Sequence, residues 1–292
     1  MTKLIFGCGY LGERVARLWR DTGHEVATVT RSAERALQFA RLGFRPVIAN
    51  IALGVIPPLP PADTVLFAVG HDRQSPESIH DVYLEGLRHA LTALLDSVRR
   101  FIYISSTGVY AQTDGEWVGE ESVTEPTRDG GRACLAAEQL LAEHPLGRRA
   151  IVLRLAGLYG PNRIPLRRQI EAGEPLATPS DGFLNLIHVD DAAQIVLLAE
   201  THAPPPQCFV ISDGHPVPRS EYYEELARLL HAPPPTFQPP DKNSPAARRS
   251  ESDKRIKNAR MLATLQPQLQ FPSYREGLAA IVSGDLRPTR EP

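Results

Sequence analysis

The stretch with the clearest chemical potential is a glycine-rich turn close to the start of the chain. Its residues are Gly7, Cys8, Gly9, Tyr10, Leu11 and Gly12. In this spacing the first glycine permits a tight turn, the second lets the backbone approach a diphosphate, and the third lets a helix pack closely on a strand. The free N–H groups at the start of that helix then face the anion. The turn therefore predicts a dinucleotide site.

Residues about 20 positions further on bear on which dinucleotide is bound. An acidic residue at that place would accept hydrogen bonds from a ribose 2′-hydroxyl. This chain has Thr30 and Arg31 instead, with Arg35 one helical turn later. A guanidinium pairs well with a 2′-phosphate, which a carboxylate would repel. The pattern predicts NADP(H) rather than NAD(H), although an Arg31 that is merely exposed would leave both cofactors open.

Alternating apolar runs and amphipathic stretches must position these groups. Residues 1–6 predict a strand, and Val15, Leu18 and Trp19 fall on one face of the helix after the turn. Further strands are predicted at residues 25–29, 46–49, 64–69, 101–105 and 151–155, with helices at residues 32–41, 79–98 and 132–143. This alternation predicts an α/β fold, a Rossmann doubly wound parallel sheet with ligands beyond the carboxyl ends of its strands. Residues near these ends complete the predicted cofactor contacts: Asn50, Ala68, Val69, Gly70 and Ser105.

The regular alternation stops near Gly157. Helices near residues 190–200, 219–230 and 274–283 are then mixed with short strands and proline-rich loops. We therefore predict an NAD(P)-binding Rossmann domain over residues 1–157, to which residues 184–212 return. Residues 158–292 are predicted to form mainly a small C-terminal mixed α/β region that binds substrate.

Composition excludes several classes of protein. The net charge of −2 argues against a general nucleic-acid binder, and no apolar run reaches the ~18 residues of a membrane span. No basic and apolar leader is visible, the three cysteines are scattered, and the nine histidines lack metal-ligand spacing. We expect a cytoplasmic protein that binds small molecules, without a metal, a nucleic acid or a membrane as partner.

Three later motifs give the sequence a specific resemblance. They are residues 104–110 (ISSTGVY), 153–161 (LRLAGLYGP) and 186–193 (LIHVDDAA). In this order, and together with the glycine turn, they closely resemble the extended short-chain dehydrogenase/reductases, the NAD-dependent epimerase/dehydratase family. The resemblance runs from residue 3 to about residue 230. It implies a cofactor across the strand ends, a small substrate domain, and often a nucleotide-sugar substrate and a homodimer packed through the helix at residues 79–98.

The resemblance also assigns roles to single residues. Ser106 matches the serine or threonine that hydrogen-bonds the reacting hydroxyl or carbonyl. His188, Asp190 and Asp191 are expected to order the loop between the domains and to cap the next helix rather than to react.

The acid/base pair of this family, Tyr-x-x-x-Lys, is missing from its expected position. Aligned on Glu138, Gly130 stands in the place of the tyrosine and Cys134 in that of the lysine. Arg132 carries charge but does not release a proton near neutral pH. No realignment restores the pair, because the lysines of the chain lie far from this region: Lys3, Lys242, Lys254 and Lys257.

Two side chains are candidates for the missing acid/base. Tyr110 lies four residues after Ser106, and Cys134 would become more acidic beside a cation such as Arg132. Each also has a simpler explanation, since Tyr110 can pack in the core and Cys134 can fill space as a small apolar group. The loop residues Glu120 and Glu121 could reach the site or remain solvated.

Arginines after the sixth strand are candidates for substrate binding. Arg163 and Arg167 suit a phosphate or carboxylate, although Arg167 could equally be an exposed helix residue. The sequence is compatible with two hypotheses about function. One hypothesis is an NADP(H)-preferring oxidoreductase or epimerase-like enzyme with a non-standard acid/base, acting on a small carbonyl, hydroxyl or nucleotide-sugar-like compound. The other is a non-catalytic NADP(H)-binding sensor, regulator or scaffold. A cavity into which Ser106 is exposed would favour the enzyme.

Overall fold

The computed structural model of the protein describes residues 1–72, 74–94, 96–241, 244, 247 and 252–284. The strands, in chain order, are β1 (Thr2–Phe6), β2 (Glu25–Thr30), β3 (Arg45–Ile48), β4 (Thr64–Phe67), β5 (Arg100–Ser106), β6 (Glu116–Val118), β7 (Ala150–Leu155), β8 (Gly157–Tyr159), β9 (Leu176–Ala177), β10 (Phe183–Leu184), β11 (Leu186–His188), β12 (Gln207–Ile211), β13 (Val217–Pro218), β14 (Phe237–Gln238) and β15 (Lys254–Ile256). The described α-helices are α1 (Gly12–Asp21), α2 (Ala33–Arg41), α3 (Gly86–Ala93), α4 (Asp129–Glu143), α5 (Arg167–Glu171), α6 (Val189–His202), α7 (Arg219–Leu229), α8 (Ala259–Leu265) and α9 (Tyr274–Ser283).

Seven of these strands form one parallel sheet in the order β12-β7-β5-β4-β1-β2-β3. The chain moves outward from β1 to β3 and then returns to the other side of β1 with β4. A crevice opens at the carboxyl ends of the strands where the order reverses in this way. The predicted α/β class with a doubly wound parallel sheet is confirmed.

Helices cover both faces of the sheet, because successive side chains of a strand point in opposite directions. On β1, Ile5 packs in the apolar cluster that includes residues of α1 and α6. Leu4 and Phe6 pack in the cluster that includes residues of α3 and α4. All four residues of β4 are buried. Burial on both faces explains why these strands are continuous apolar runs.

Local signals mark the ends of the first two helices. The Ser32 hydroxyl accepts a hydrogen bond from the Arg35 N–H at 3.1 Å, so Ser32 is the N-cap of α2. Gly23 follows α1 with a φ of 82°, a left-handed conformation that glycine adopts without strain. Gly23 thus ends α1 before β2 begins, and Ser32 starts α2 after β2 ends.

The long helix predicted at residues 79–98 is interrupted and shorter than expected. Residues Asp81–Glu85 form a π-helix, and α3 follows it and ends at Ala93. The Leu94 backbone is extended, and the next strand is anchored where the Arg99 and Arg100 N–H groups bond the Asp63 carbonyl at 2.8 and 3.1 Å. Residue 95, which falls within the predicted helix, lies outside the described residues.

The remaining strands form short pairs outside the main sheet: β8 with β11, β9 with β14, β10 with β13, and β6 with β15. A separate apolar cluster, which includes Tyr159, Tyr222 and Leu278, packs the C-terminal helices together. Within the described ranges, no helix has both the length and the apolar character needed to cross a bilayer.

Candidate functional site

A cavity of about 1060 Å³ lies at the carboxyl ends of the central strands. Small-molecule pockets usually measure about 300–1,000 Å³, so this cavity is large enough for a dinucleotide-sized ligand. The predicted cofactor residues that line it are Gly7, Cys8, Gly9, Tyr10, Leu11, Thr30, Arg31, Arg35, Asn50, Ala68, Val69, Gly70 and Ser105. Gly12 lies outside the lining, at the start of α1.

The glycine turn has the geometry of a diphosphate cradle. Gly7 has a φ of 84°, and a Cβ there would lie 2.5 Å from the Ala68 carbonyl carbon. A Cβ on Gly12 would lie 2.4 Å from the Gly7 carbonyl oxygen, so α1 packs directly on the turn. A Cβ on Gly9 would meet nothing within 4 Å. The Gly9 backbone is therefore open on the cavity side, and the turn fits the diphosphate of a dinucleotide.

The two arginines after β2 line the cavity and already have partners. Arg31 donates hydrogen bonds to Asp72 at 2.6 Å and to Ser75 at 2.7 Å. Arg35 donates to the Cys8 carbonyl at 2.9 Å, and its guanidinium lies 3.4 Å from a Glu13 carboxylate oxygen. Both positive charges are thus held at the end of the cavity nearest β2.

Ser106 lines the cavity at the end of β5. Its hydroxyl accepts the Gly108 N–H at 3.0 Å and caps the short 3₁₀ turn Thr107–Val109. The adjacent Ser105 instead donates to Glu138 at 2.5 Å. The Ser106 hydroxyl therefore keeps its own proton to donate towards the cavity, while Ser105 is committed to the structure.

Tyr110 does not line the cavity, which corrects its role as a candidate acid/base. Its side chain is 1% exposed, and its hydroxyl accepts a hydrogen bond from Arg154 at 2.8 Å. Burial raises the pKa of Tyr110 to about 12 despite that arginine. Arg154 also pairs with Glu138 at 2.7 Å. Tyr110 belongs to this buried polar network.

Cys134 lines the cavity, and its side chain is buried. Burial raises the pKa of the Cys134 thiol to about 12, and the Glu138 charge acts in the same direction. Of the two interpretations of Cys134, the small apolar group agrees with this burial, whereas the more acidic thiol beside Arg132 is wrong. Arg132 is exposed and pairs with Asp129 and the Thr127 carbonyl, each at 2.5 Å. Cys134 therefore remains a thiol near neutral pH.

Two glycines begin α4 beside the Ser106 turn. A Cβ on Gly131 would lie 2.2 Å from the Gly108 carbonyl oxygen, so the helix backbone rests on the 3₁₀ turn. A Cβ on Gly130 would lie 3.3 Å from the tip of Ile79. The side-chain space at residue 130 is therefore bordered by Ile79.

Tyr83 is a cavity residue that sequence reasoning missed. It lies in the π-helix, and its hydroxyl accepts the His71 N–H at 3.2 Å. Burial raises the pKa of Tyr83 above its usual value, while the His71 N–H bond and the Arg163 charge act against that rise. The Cys134 thiol is close enough to Tyr83 to raise the pKa of its phenol as well. A π-helix is often found at functional sites, but apolar periodicity alone does not reveal one.

The predicted substrate arginines divide into two environments. Arg163 lines the cavity, with its guanidinium 5.2 Å from the centre of the Tyr10 ring. Arg167 is exposed, pairs with Glu171 at 2.7 Å and does not line the cavity. Only Arg163 of the two is placed to contact a ligand there, and the exposed-helix interpretation of Arg167 holds.

The loop glutamates also separate. Glu120 is buried and accepts the Val210 N–H at 2.9 Å, which corrects the expectation that it is solvated or catalytic. Glu121 is 86% exposed and pairs with Arg260. Neither residue lines the cavity.

The residues of the 186–193 motif have structural partners. The His188 ring accepts the Asp190 N–H at 3.3 Å and caps α6, and burial lowers the pKa of His188 to about 4. Asp191 accepts the Gln270 and Phe271 N–H groups at 2.7 and 3.0 Å. These contacts agree with the expected ordering and capping roles. Among the described side chains, no group of three or more His, Cys, Asp or Glu is arranged to hold a metal ion.

Comparison with known proteins gives matches over most of the chain. Residues 4–212 match the NAD-dependent epimerase/dehydratase family. The protein YeeZ of Escherichia coli strain K12 is 29% identical over 243 residues, which cover 80% of this chain and 85% of YeeZ. A 3-diazoavenalumate denitrifying reductase from a Streptomyces species is 28% identical over 263 residues, with 82% and 84% covered. The solved structure of a functionally unknown conserved protein from Silicibacter pomeroyi has a TM-score of 0.82 and 28% identity, and covers 97% of this chain and 98% of that chain.

Proposed function

The chain belongs to the NAD-dependent epimerase/dehydratase family, and from this premise we propose that it is an NADP(H)-preferring oxidoreductase with a non-standard acid/base. Family membership and the reductase relative support a nicotinamide-dependent enzyme of the oxidoreductase type. The observation that carries the proposal is the cavity that joins the glycine turn to Ser106. A sensor would need the glycine turn, but it would not need Ser106 in the same cavity.

The preference for NADP(H) is supported by the end of β2. Thr30 and Arg31 line the cavity there, where a carboxylate would select against a 2′-phosphate. The bound cofactor would supply or accept a hydride. Residues of the glycine turn would hold its diphosphate, and Arg31, with Arg35 beside it, would face its 2′ side.

Ser106 and Tyr83 are proposed to handle the reacting oxygen. The Ser106 hydroxyl would hydrogen-bond the substrate carbonyl or hydroxyl. Tyr83 is proposed as the proton donor because its phenol lines the cavity and is protonated at neutral pH, although burial raises its pKa and makes it a weaker acid than a free tyrosine. We propose that Gly130 and Cys134 occupy the places of the family's tyrosine and lysine, which leaves the proton transfer to a residue outside α4.

The substrate is proposed to be a small carbonyl or hydroxyl compound, or a nucleotide-sugar-like compound. Arg163 on the cavity wall supports a substrate that carries a phosphate or carboxylate. The segment between Pro161 and His188 is short for a full nucleotide clamp, which favours the smaller compounds.

A non-catalytic NADP(H)-binding sensor or scaffold is the second candidate. One observation favours it: Gly130 has no side chain, and the Cys134 thiol has a pKa of about 12, so neither is a useful acid at neutral pH. Turnover separates the two candidates, because a sensor binds the cofactor without consuming it.

The cofactor assignment is tested by titrating the protein with NADPH and NADH while following nicotinamide fluorescence. Arg31→Gln should weaken NADPH binding by about tenfold, since charge-assisted hydrogen bonds are worth about 1.5–3 kcal/mol. NADH binding should change by less than about twofold. Arg41→Gln, which removes an exposed charge from the end of α2, is the matched control. Equal effects of the two substitutions would contradict the proposed preference.

The catalytic assignment is tested by following NADPH absorbance with a panel of aldehydes, ketones and nucleotide sugars. With an active substrate, Tyr83→Phe should lower kcat by about 10²–10⁴-fold while the Kd for NADPH stays unchanged. Tyr110→Phe is the control, because that phenol lies outside the cavity. Tight NADPH binding without turnover of any compound in the panel would favour the sensor.

A further inference from the structure

Asp72 and Ser75, in the segment that follows β4, contact the charged group proposed to face the 2′ side of the cofactor. One terminal nitrogen of Arg31 donates to Asp72 at 2.6 Å. The other donates to Ser75 at 2.7 Å and lies 3.7 Å from a Glu77 carboxylate oxygen. Asp72 and Glu77 both line the cavity. Two carboxylates therefore already face the Arg31 guanidinium within the cofactor cavity.

Hydrogen bonds from Asn50, Gln74 and Ser75 hold these carboxylates in place. The Asn50 side-chain amide donates to Glu77 at 2.8 Å, and the Ser75 hydroxyl donates to the second Glu77 oxygen. The Gln74 N–H donates to Asp72 at 3.0 Å. These bonds link the ends of β2, β3 and β4 around Arg31. They also keep Glu77 ionised, because bonds from Ser75 and Asn50 lower the pKa of its carboxyl to about 2.

A 2′-phosphate would need the same two nitrogens of Arg31. It would also bring up to two negative charges close to Asp72 and Glu77, and like charges at such distances repel. A 2′-hydroxyl carries no charge and can be accommodated without separating Arg31 from its partners. Arg35 is not an equivalent substitute, because it is already bonded to the Cys8 carbonyl and close to Glu13.

We propose that Asp72 and Glu77 determine cofactor specificity by competing with a 2′-phosphate for Arg31. The two carboxylates lower the affinity for NADP(H) and leave that for NAD(H) nearly unchanged, so the chain's preference is weaker than Arg31 alone would produce. Asp72 and Arg31 are about half exposed, at 49% and 46%, so solvent screens the pair and a bound phosphate can displace it. The proposal rests on the proposed position of Arg31 at the 2′ side of the cofactor.

The test measures binding of NADPH, NADH, 2′,5′-ADP and 5′-AMP by calorimetry. Asp72→Asn should tighten the binding of NADPH and 2′,5′-ADP by about three- to fivefold, in keeping with the modest energy of an exposed ion pair. The affinities for NADH and 5′-AMP should change by less than about twofold. Glu77→Gln should shift the same two ligands in the same direction. Glu34→Gln is the matched control, because it removes an exposed carboxylate from the first turn of α2 and should change none of the four.

Several results would overturn the proposal. If Asp72→Asn leaves NADPH binding unchanged or weakens it while Arg31→Gln weakens NADPH binding, only this inference fails. If neither substitution affects NADPH, the proposed position of Arg31 fails as well. Equal tightening by Asp72→Asn and Glu34→Gln, or equal tightening of NADPH and NADH, would show a general charge effect instead of competition for Arg31.

Discussion

Cys134 shows at the scale of one residue how environment decides chemistry. A cysteine beside a cation would be acidic, and the sequence places Arg132 two positions away. On a helix, however, positions two apart do not face each other. Arg132 therefore points to Asp129 in solvent, whereas Cys134 is buried against the sheet. The sequence shows that residue 134 is a cysteine, but it does not show that the charge of Arg132 points away from the thiol.

The pKa of Cys134 leads to a prediction about its reactivity. A thiol pKa of about 12, instead of 9.0, leaves roughly a thousandfold less thiolate at a given pH. We expect iodoacetamide at about pH 8 to leave Cys134 unmodified in the folded protein and to modify it quickly in denaturant. Mass spectrometry of the digested protein measures both. Rapid labelling of folded protein would restore Cys134 as a candidate acid/base.

Residues of the cofactor site were far more predictable than those of the reacting site. The glycine turn is local, so its spacing alone indicates its geometry, and all of its residues except Gly12 line the cavity. Tyr83 instead reaches the cavity through a π-helix between β4 and α3. Its position depends on packing against α4, which is distant in sequence, and no local pattern reports such packing.

At the scale of elements, the contact between α4 and the Ser106 turn depends on one glycine. Gly131→Ala should destabilise the protein by about 1–3 kcal/mol, because its Cβ would lie 2.2 Å from the Gly108 carbonyl oxygen. Gly130→Ala is the matched control, since its Cβ would meet only the flexible end of Ile79 at 3.3 Å. Thermal unfolding of both variants measures the difference. Equal stability of the two would contradict backbone contact between α4 and the turn.

Six of the seven strands of the main sheet could be predicted closely, whereas β12 and the short strands outside this sheet could not. Strands such as β4 are buried on both faces, so their apolar runs are unambiguous. By contrast, β15 pairs with β6, and its Lys254 lies opposite Glu116. Two- or three-residue strands of this kind are defined by a partner far along the chain. The bounds of helices α5 and α8 could not be predicted for a related reason, since each has fewer than eight residues and little periodicity.

At the scale of the whole molecule, Asp213 couples pH to the packing of the C-terminal region. It follows β12, and one carboxylate oxygen accepts the His215 N–H at 2.9 Å. The other oxygen is buried and has no hydrogen-bond partner among the described residues. Burial raises the pKa of Asp213 from 3.8 to about 7. Between these values the folded protein binds a proton that the unfolded chain has released.

The direction of the pH effect follows from that proton. The contribution of Asp213 to the free energy of unfolding is largest below pH 3.8. It falls as the pH rises to about 7. His188 acts in the opposite direction, because burial lowers its pKa from 6.5 to about 4. The contribution of Asp213 is therefore best isolated by comparing a variant with the wild type.

Asp213→Asn should have little effect on stability near the lower pH limit and should increase it progressively towards neutral pH. The gain at about pH 7 should be on the order of 2–4 kcal/mol, because the variant does not bury a charge. Urea unfolding of both proteins across this range measures the difference. A difference that stays constant with pH would show that folding does not raise the pKa of Asp213.

The pairing of β12 with β7 has a consequence for how the protein can be divided. The chain leaves the sheet after β7, forms β8 to β11 with α5 and α6, and only then returns to add β12 at the edge. A fragment that stops at residue 157 would therefore expose β7 as an unpaired edge with the apolar residues Ile151, Leu153 and Leu155. Exposed edges of this kind recruit strands from other molecules. Cutting the gene at the apparent domain boundary should thus yield insoluble material, and a soluble truncation has to extend beyond Ile211.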